Sequence, residues 1–218
     1  HFAEQGYSVL LFDLWGTGES QGEFSDATWS IWIENIKMAI KWVDSLGIKE
    51  VSLWGVRVGV LLALDFLQQS DFKVNHLICW QPVLNGETFI MQFLRLRVAA
   101  AMMDKNAPQE KTADLKKRLL EGTSIEVAGY LLNPGLVNPM MAIRAKQFNL
   151  KNIKRCHVFE LVMGSELNSS YAIKQWLDEQ GNNFLLDVLE GSHFWATQEI
   201  SESSDLLKLT SQRVLEWQ

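Results

Sequence analysis

Two hydrophobic periodicities alternate along this chain. Between residues 28 and 46, Trp29, Trp32, Ile33, Ile36, Ile40 and Val43 recur every three or four positions, so they share one face of a predicted helix that Gly47 closes. Short unbroken apolar runs at 7–13, 51–54 and 76–80 have instead the length and character of strands buried on both faces. An apolar stretch at 58–67 follows the 51–54 run directly and predicts a buried helix. The rhythm lapses between residues 83 and 150, where helical patterns at 89–103 and 113–120 are separated by loop chemistry around 106–108 and 133–139. It resumes with a strand at 157–163, a helix at 171–180 ended by Gly181, a strand at 184–189 and a helix at 205–217. Strands alternating with helices predict a doubly wound, mostly parallel sheet. The expected organisation is a core of residues 1–82 and 151–218 interrupted by a helical cap at 83–150. Residues 1–6 read as a helix end stopped by Gly6, so the opening strands of the sheet are expected to lie before His1.

Composition narrows the picture. With 218 residues, 47% of them hydrophobic, the chain can bury one large core. A net charge of −6 argues against general affinity for nucleic acid. Cys79 and Cys156 are too few for a disulfide framework and fit a reducing, cytoplasmic setting. No apolar run approaches the ~20 residues of a membrane-spanning helix. No pattern calls for a metal, and no cofactor is expected.

The chemistry concentrates where the 51–54 strand meets the following helix, at Gly55-Val56-Arg57-Val58-Gly59. Glycines on both sides of a central residue suit a sharp, strained strand-to-helix turn. A guanidinium stays protonated and has no lone pair to donate, so Arg57 cannot attack a carbonyl. At the opening of a helix it adds a planar fork to free N–H groups that already favour an anion. Arg57 therefore either receives a carboxylate, phosphate or sulfate, or forms a salt bridge to Glu166 or another loop acid.

Three landmarks in order carry a family resemblance. Asp13-Leu14-Trp15-Gly16-Thr17-Gly18-Glu19-Ser20 resembles the Asp-x-x-Gly-x-Gly-x-Ser turn of α/β-hydrolases, Gly55 to Gly59 resembles their nucleophile elbow, and Gly191-Ser192-His193-Phe194 resembles the loop bearing their catalytic histidine. More narrowly, the 53–59 segment, Trp80-Gln81-Pro82-Val83 and Gln92-Phe93-Leu94-Arg95-Leu96-Arg97 resemble the exosortase A system-associated hydrolases, type 2, of bacteria that export exopolysaccharide. The resemblance implies an α/β-hydrolase fold, hydrolysis of an ester or related acyl bond, and a link to the exopolysaccharide machinery. It makes His193 the base and Glu166 the acid that orients it, with Asp187 as second choice. It also puts Arg57 where the nucleophile belongs.

Other residues compete for roles. His76 and His157 open strands and read as structural. Cys79 lies near the carboxyl edge of the sheet, but a cysteine in an apolar strand is usually core. Ser165 and Ser192 sit on relevant loops without elbow spacing, and water activated by His193 is a further nucleophile. Trp15, Trp54, Trp80 and Trp195 neighbour strand ends and are candidates for an apolar pocket wall as well as for core. The apolar side chains of 89–103 suit a roof over an acyl ligand, and Arg95 and Arg97 suit anionic head groups. Two classes of function follow: an acyl hydrolase with an unconventional nucleophile, or a non-catalytic protein that binds an anionic or acyl ligand or serves assembly.

Overall fold

The computed structural model describes residues 1–103, 108–164, 168–180, 184–196 and 201–216. The first long element is α1 (Trp29–Ser45), whose N-terminus is capped by Thr28 through a hydrogen bond from the Ile31 N–H at 3.2 Å. Strand β1 (Leu53–Val56) turns directly into α2 (Val58–Gln68), and β2 (Val74–Trp80) follows. Three helices come next, α3 (Gly86–Met103), α4 (Thr112–Leu120) and α5 (Pro134–Ala142). A hairpin of β3 (Ile125–Val127) and β4 (Tyr130–Leu132) lies between the last two. The chain then returns through β5 (Ile153–Val162), α6 (Tyr171–Gln180), β6 (Phe184–Glu190) and α7 (Ser204–Leu215).

Four strands form one sheet in the order β1-β2-β5-β6, and every neighbouring pair is parallel. Successive side chains of a strand point to opposite faces, so each strand feeds two cores. On one face Leu77, Cys79, Cys156 and Val158 join the apolar sides of α1, α2 and α6. On the other, Ile78, Trp80, Phe159 and Leu161 pack under Leu206 of α7. A parallel sheet covered on both faces is the arrangement the strand-helix alternation predicts.

The segment between β2 and β5 is tied together by charge as well as packing. Glu87 of α3 pairs with Lys116 and Arg144, and Glu110 accepts from Arg97 at 2.6 Å and Arg118 at 2.7 Å. Arg97 also donates to the Glu126 carbonyl at 2.9 Å, so its guanidinium is engaged within the protein instead of being offered to a lipid head group. The hairpin was not expected from the sequence. Its turn places Ala128 and Gly129 at φ 50° and 84°, the positive values that tight hairpins require.

Residues 7–13 depart from expectation. No strand forms there among the described residues, and Val9, Leu10, Leu11 and Phe12 are exposed. A groove of about 590 Å³ separates residues 8–12 from Val51, Ser52, Leu53 and Trp54, with α1 and α2 as its floor. An apolar run becomes a strand only when a neighbour completes its ladder, and β1 is the edge of the sheet on this side.

Beneath α7, β5 and β6 carry a polar cluster in which His157 is buried and Asp187 partly so. The His157 Nε2 is 2.7 Å from an Asp187 carboxylate oxygen, and Arg213 donates to both oxygens of that carboxylate at 2.7 and 2.9 Å. The Arg213 hydrogen bonds hold Asp187 below the usual carboxylate range, while burial depresses His157. Burial, helped by Arg155 and Lys154, also brings His76 down to about 4. In the unfolded chain both histidines regain a pKa of about 6.5 and bind protons that the folded state refuses. Stability therefore falls as pH drops below about 6.5. The Asp187 contribution is present above its unfolded value and is lost later, as pH falls through its depressed folded value. Urea titrations should show an unfolding midpoint that decreases steadily from pH 7 to pH 4; a midpoint flat across that window would contradict this assignment.

Candidate functional site

At the end of β1 the chain turns sharply into α2. Arg57 has φ 54° and ψ −119°, a conformation that costs a non-glycine residue about 1–3 kcal/mol. Three backbone hydrogen bonds hold it there: the Arg57 N–H donates to the Trp80 carbonyl at 3.0 Å, and its carbonyl accepts from Val60 and Val83, each at 3.2 Å. The neighbouring glycines are not equivalent. A Cβ on Gly55 would lie 2.7 Å from the Val60 nitrogen, whereas a Cβ on Gly59 would meet nothing within 4 Å. Gly55 lets strand and helix close on each other; Gly59 does not.

Arg57 is half-buried, and burial lowers the pKa of its guanidinium. One terminal nitrogen donates to the Gln81 carbonyl at 3.4 Å, and the guanidinium carbon stands 5.2 Å from the centre of the Trp195 ring, a cation–π arrangement. Among the described residues no carboxylate lies within ion-pair distance of Arg57. The first N–H groups of an α-helix have no acceptor inside it, so Val58 and Gly59 present donors beside the guanidinium. The local field favours negative charge.

His193 reaches the same place from the other end of the chain. Its ring stacks on Trp195 with centroids 4.8 Å apart, and its Nε2 lies 3.4 Å from the Leu161 carbonyl. Trp195 thus touches both the guanidinium and the imidazole. A carbonyl accepts only, so the contact requires a proton on Nε2 and leaves Nδ1 as the acceptor of the neutral ring. Among the described residues no carboxylate is bonded to His193. Glu166, expected to orient it, lies outside the described residues.

The other candidates fall elsewhere. Asp187 is bound to His157 and Arg213 under α7. Cys79 is fully buried with its Sγ 3.7 Å from that of Cys156, and burial together with that thiol pushes its pKa up, so it is no thiolate nucleophile. Trp54 and Trp80 project to the α7 face in a ladder of edge-to-face rings that runs Phe2, Trp54, Trp80, Phe194 and Trp195. The Trp80 indole donates to Thr210 at 3.0 Å. Trp15 packs in its own glycine-punctuated turn, where a Cβ on Gly22 would collide with it, and is not part of the Arg57 group. In that turn an Asp13 carboxylate oxygen accepts from the Glu19 N–H at 2.9 Å.

Two polar residues near the site carried no expected role. Glu160, buried in β5, accepts from the Ser169 hydroxyl and from the Ser170 N–H, anchoring the start of α6. Gln81 follows β2 at φ 42° and links the elbow to β5. Their roles depend on partners distant in the fold, which residue type alone does not disclose.

The family model described as Serine aminopeptidase, S33 matches residues 1–157. Among solved structures, Est1E from Butyrivibrio proteoclasticus with ferulic acid bound superposes with a TM-score of 0.67 at 16% identity, covering 94% of this chain and 75% of that one. A structure from work on LipS and LipT, two metagenome-derived lipolytic enzymes, gives 0.64 at 16% identity over 100% and 85% of the two chains. The monoacylglycerol lipase of Paleococcus ferrophilus gives 0.57 at 13% identity over 93% and 81%. Among curated proteins none matches the chain. At these identities the structural likeness establishes the α/β-hydrolase fold.

The glycine asymmetry sets a direct check on the elbow. Gly55→Ala should lower unfolding stability by about 1–3 kcal/mol, as overpacking does. Gly59→Ala should be neutral or stabilise by about 0.4–1 kcal/mol. Equal effects in denaturant titrations would show that the strand and helix do not cross as described.

Proposed function

Because the chain belongs to the serine aminopeptidase S33 family of α/β-hydrolases yet carries arginine at its elbow, we propose that it binds an anionic acyl compound through Arg57. Arginine stands in place of the elbow serine. The observation that carries this reading is a half-buried guanidinium without a carboxylate partner among the described residues, set beside the opening turn of α2. A charge in that position gains most from a ligand carboxylate, phosphate or sulfate able to take its two-nitrogen fork. In this reading residues 83–150 serve as the roof, and the partly exposed Phe89, Met91 and Phe93 of α3 take the acyl part of the ligand. In keeping with the resemblance to exosortase A system-associated hydrolases, the ligand belongs to exopolysaccharide metabolism. The setting is cytoplasmic, where Cys79 and Cys156 remain thiols.

One observation supports a second, catalytic reading. Arg57 and His193 touch the same Trp195 ring, so a carbonyl whose oxygen faces the guanidinium would have an imidazole close by. Hydrolysis of an ester or related acyl bond then uses water, with His193 Nδ1 accepting its proton and returning it to the leaving group, the Leu161 carbonyl holding the Nε2–H, and Arg57 and the Val58 N–H stabilising the oxyanion. No acyl-enzyme forms in this route.

Calorimetry with octanoate separates the readings. Arg57→Ala should weaken octanoate binding by about 1.5–3 kcal/mol, the range of a hydrogen bond to a charged group. Unchanged affinity would reject the receptor. A fluorophosphonate probe should leave the elbow unlabelled, and turnover of short-chain esters should be low or absent. Brisk esterase activity abolished by His193→Ala and accompanied by probe labelling would reveal a serine nucleophile elsewhere and overturn both readings.

A further inference from the structure

We propose that Gln81 is the positioning residue that sets the Arg57 guanidinium and the His193 imidazole relative to one another. The inference rests on the anion-receptor reading and names what holds that receptor in shape. Gln81 follows β2 with φ 42°, so two non-glycine residues with positive φ, Arg57 and Gln81, stand at the carboxyl ends of adjacent strands. Its main chain faces both neighbours: the N–H donates to the Phe159 carbonyl at 2.8 Å, and the carbonyl accepts from Arg57 at 3.4 Å. Its side chain then reaches along β5, where Oε1 accepts from the Leu161 N–H at 2.7 Å. A backbone N–H can only donate, so the orientation of the Gln81 amide is fixed by chemistry. The carbonyl of that same Leu161 is the group 3.4 Å from His193 Nε2.

One continuous path therefore runs from the Arg57 guanidinium through the Gln81 carbonyl and amide to both backbone groups of Leu161 and on to His193. Every link is a hydrogen bond or close polar contact. An ordinary turn residue would satisfy the backbone alone. The left-handed conformation is costly for a non-glycine residue and is retained where surrounding contacts impose it. The side chain of Gln81 supplies such a contact. Its amide also leaves two N–H donors on Nε2, neutral groups that do not compete with a ligand anion for the guanidinium as a carboxylate would.

Two substitutions separate positioning from bulk packing. Gln81→Leu removes the acceptor for Leu161, whereas Gln81→Glu keeps an acceptor and places a negative charge near Arg57. Octanoate affinity should fall about tenfold in Gln81→Leu, the size of one hydrogen bond's net contribution, and further in Gln81→Glu. The ring-nitrogen ¹⁵N shifts of His193, assigned with His193→Gln, report its tautomer. They should show Nε2–H in wild type and in Gln81→Glu, and a mixture of tautomers in Gln81→Leu. Wild-type affinity or a wild-type His193 spectrum in Gln81→Leu would overturn the proposal. If Gln81→Leu does not fold, as judged by circular dichroism, the His193 spectrum of Gln81→Glu decides: the wild-type pattern supports the link and an altered one rejects it. Failure of wild-type protein to bind octanoate would remove the receptor reading, and the His193 spectra would still test the role of Gln81.

Discussion

The close crossing of β1 and α2 is the constraint from which the candidate site follows. A side chain at Gly55 would press against the Val60 nitrogen, so only glycine lets the strand run into the helix at this spacing. That crossing places Arg57 in a left-handed conformation and aligns its N–H and carbonyl with β2 and the residues after it. Because the chain turns so tightly, the side chain at position 57 projects above the carboxyl edge of the sheet, where parallel α/β sheets bind ligands. The elbow's architecture is thus independent of the chemistry of its central residue. Glycine and backbone hydrogen bonds build the turn, and whatever occupies position 57 inherits its placement.

Given that placement, electrostatics sets what arginine does there. Burial disfavours the charge, the Gln81 carbonyl offers one distant acceptor, and the Trp195 face offers a cation–π contact. Neither neutralises a guanidinium. A helix N-terminus beside it repels cations and attracts anions, and among the described residues no carboxylate meets the guanidinium. The aromatic ladder beneath provides rigidity instead of charge: it joins Trp54 of the elbow strand to the loop of Trp195 across the α7 face. His193 is stacked on the end of that ladder, with Nε2 directed to a backbone carbonyl. In the proposed reading this arrangement serves a fixed receptor.

Much of this was legible in the sequence, for reasons that can be named. The face of α1 carrying Trp29, Trp32, Ile33 and Ile36 is buried because its spacing matches the helical repeat. Arg57 and the His193 loop were locatable because glycine punctuation survives as a signal of tight turns. The 7–13 run misled because apolar character reports a capacity for burial, and ladder partners are set elsewhere in the fold. Trp54 and Trp80 alternate onto the α7 face, a consequence of the strand period that their nearness to strand ends obscured. The three-residue strands of the hairpin are too short to generate a pattern. Gln81 was invisible as a functional residue because its side chain meets Leu161, 80 positions away.

Anion binding at the elbow is tested most directly by a crystal structure of the protein soaked with octanoate. The ligand carboxylate should lie within hydrogen-bond distance of the Arg57 guanidinium and the Val58 N–H, with its alkyl chain running towards α3. A structure in which the Arg57 guanidinium is closed by a carboxylate of the protein itself, with octanoate bound elsewhere or not at all, would contradict it.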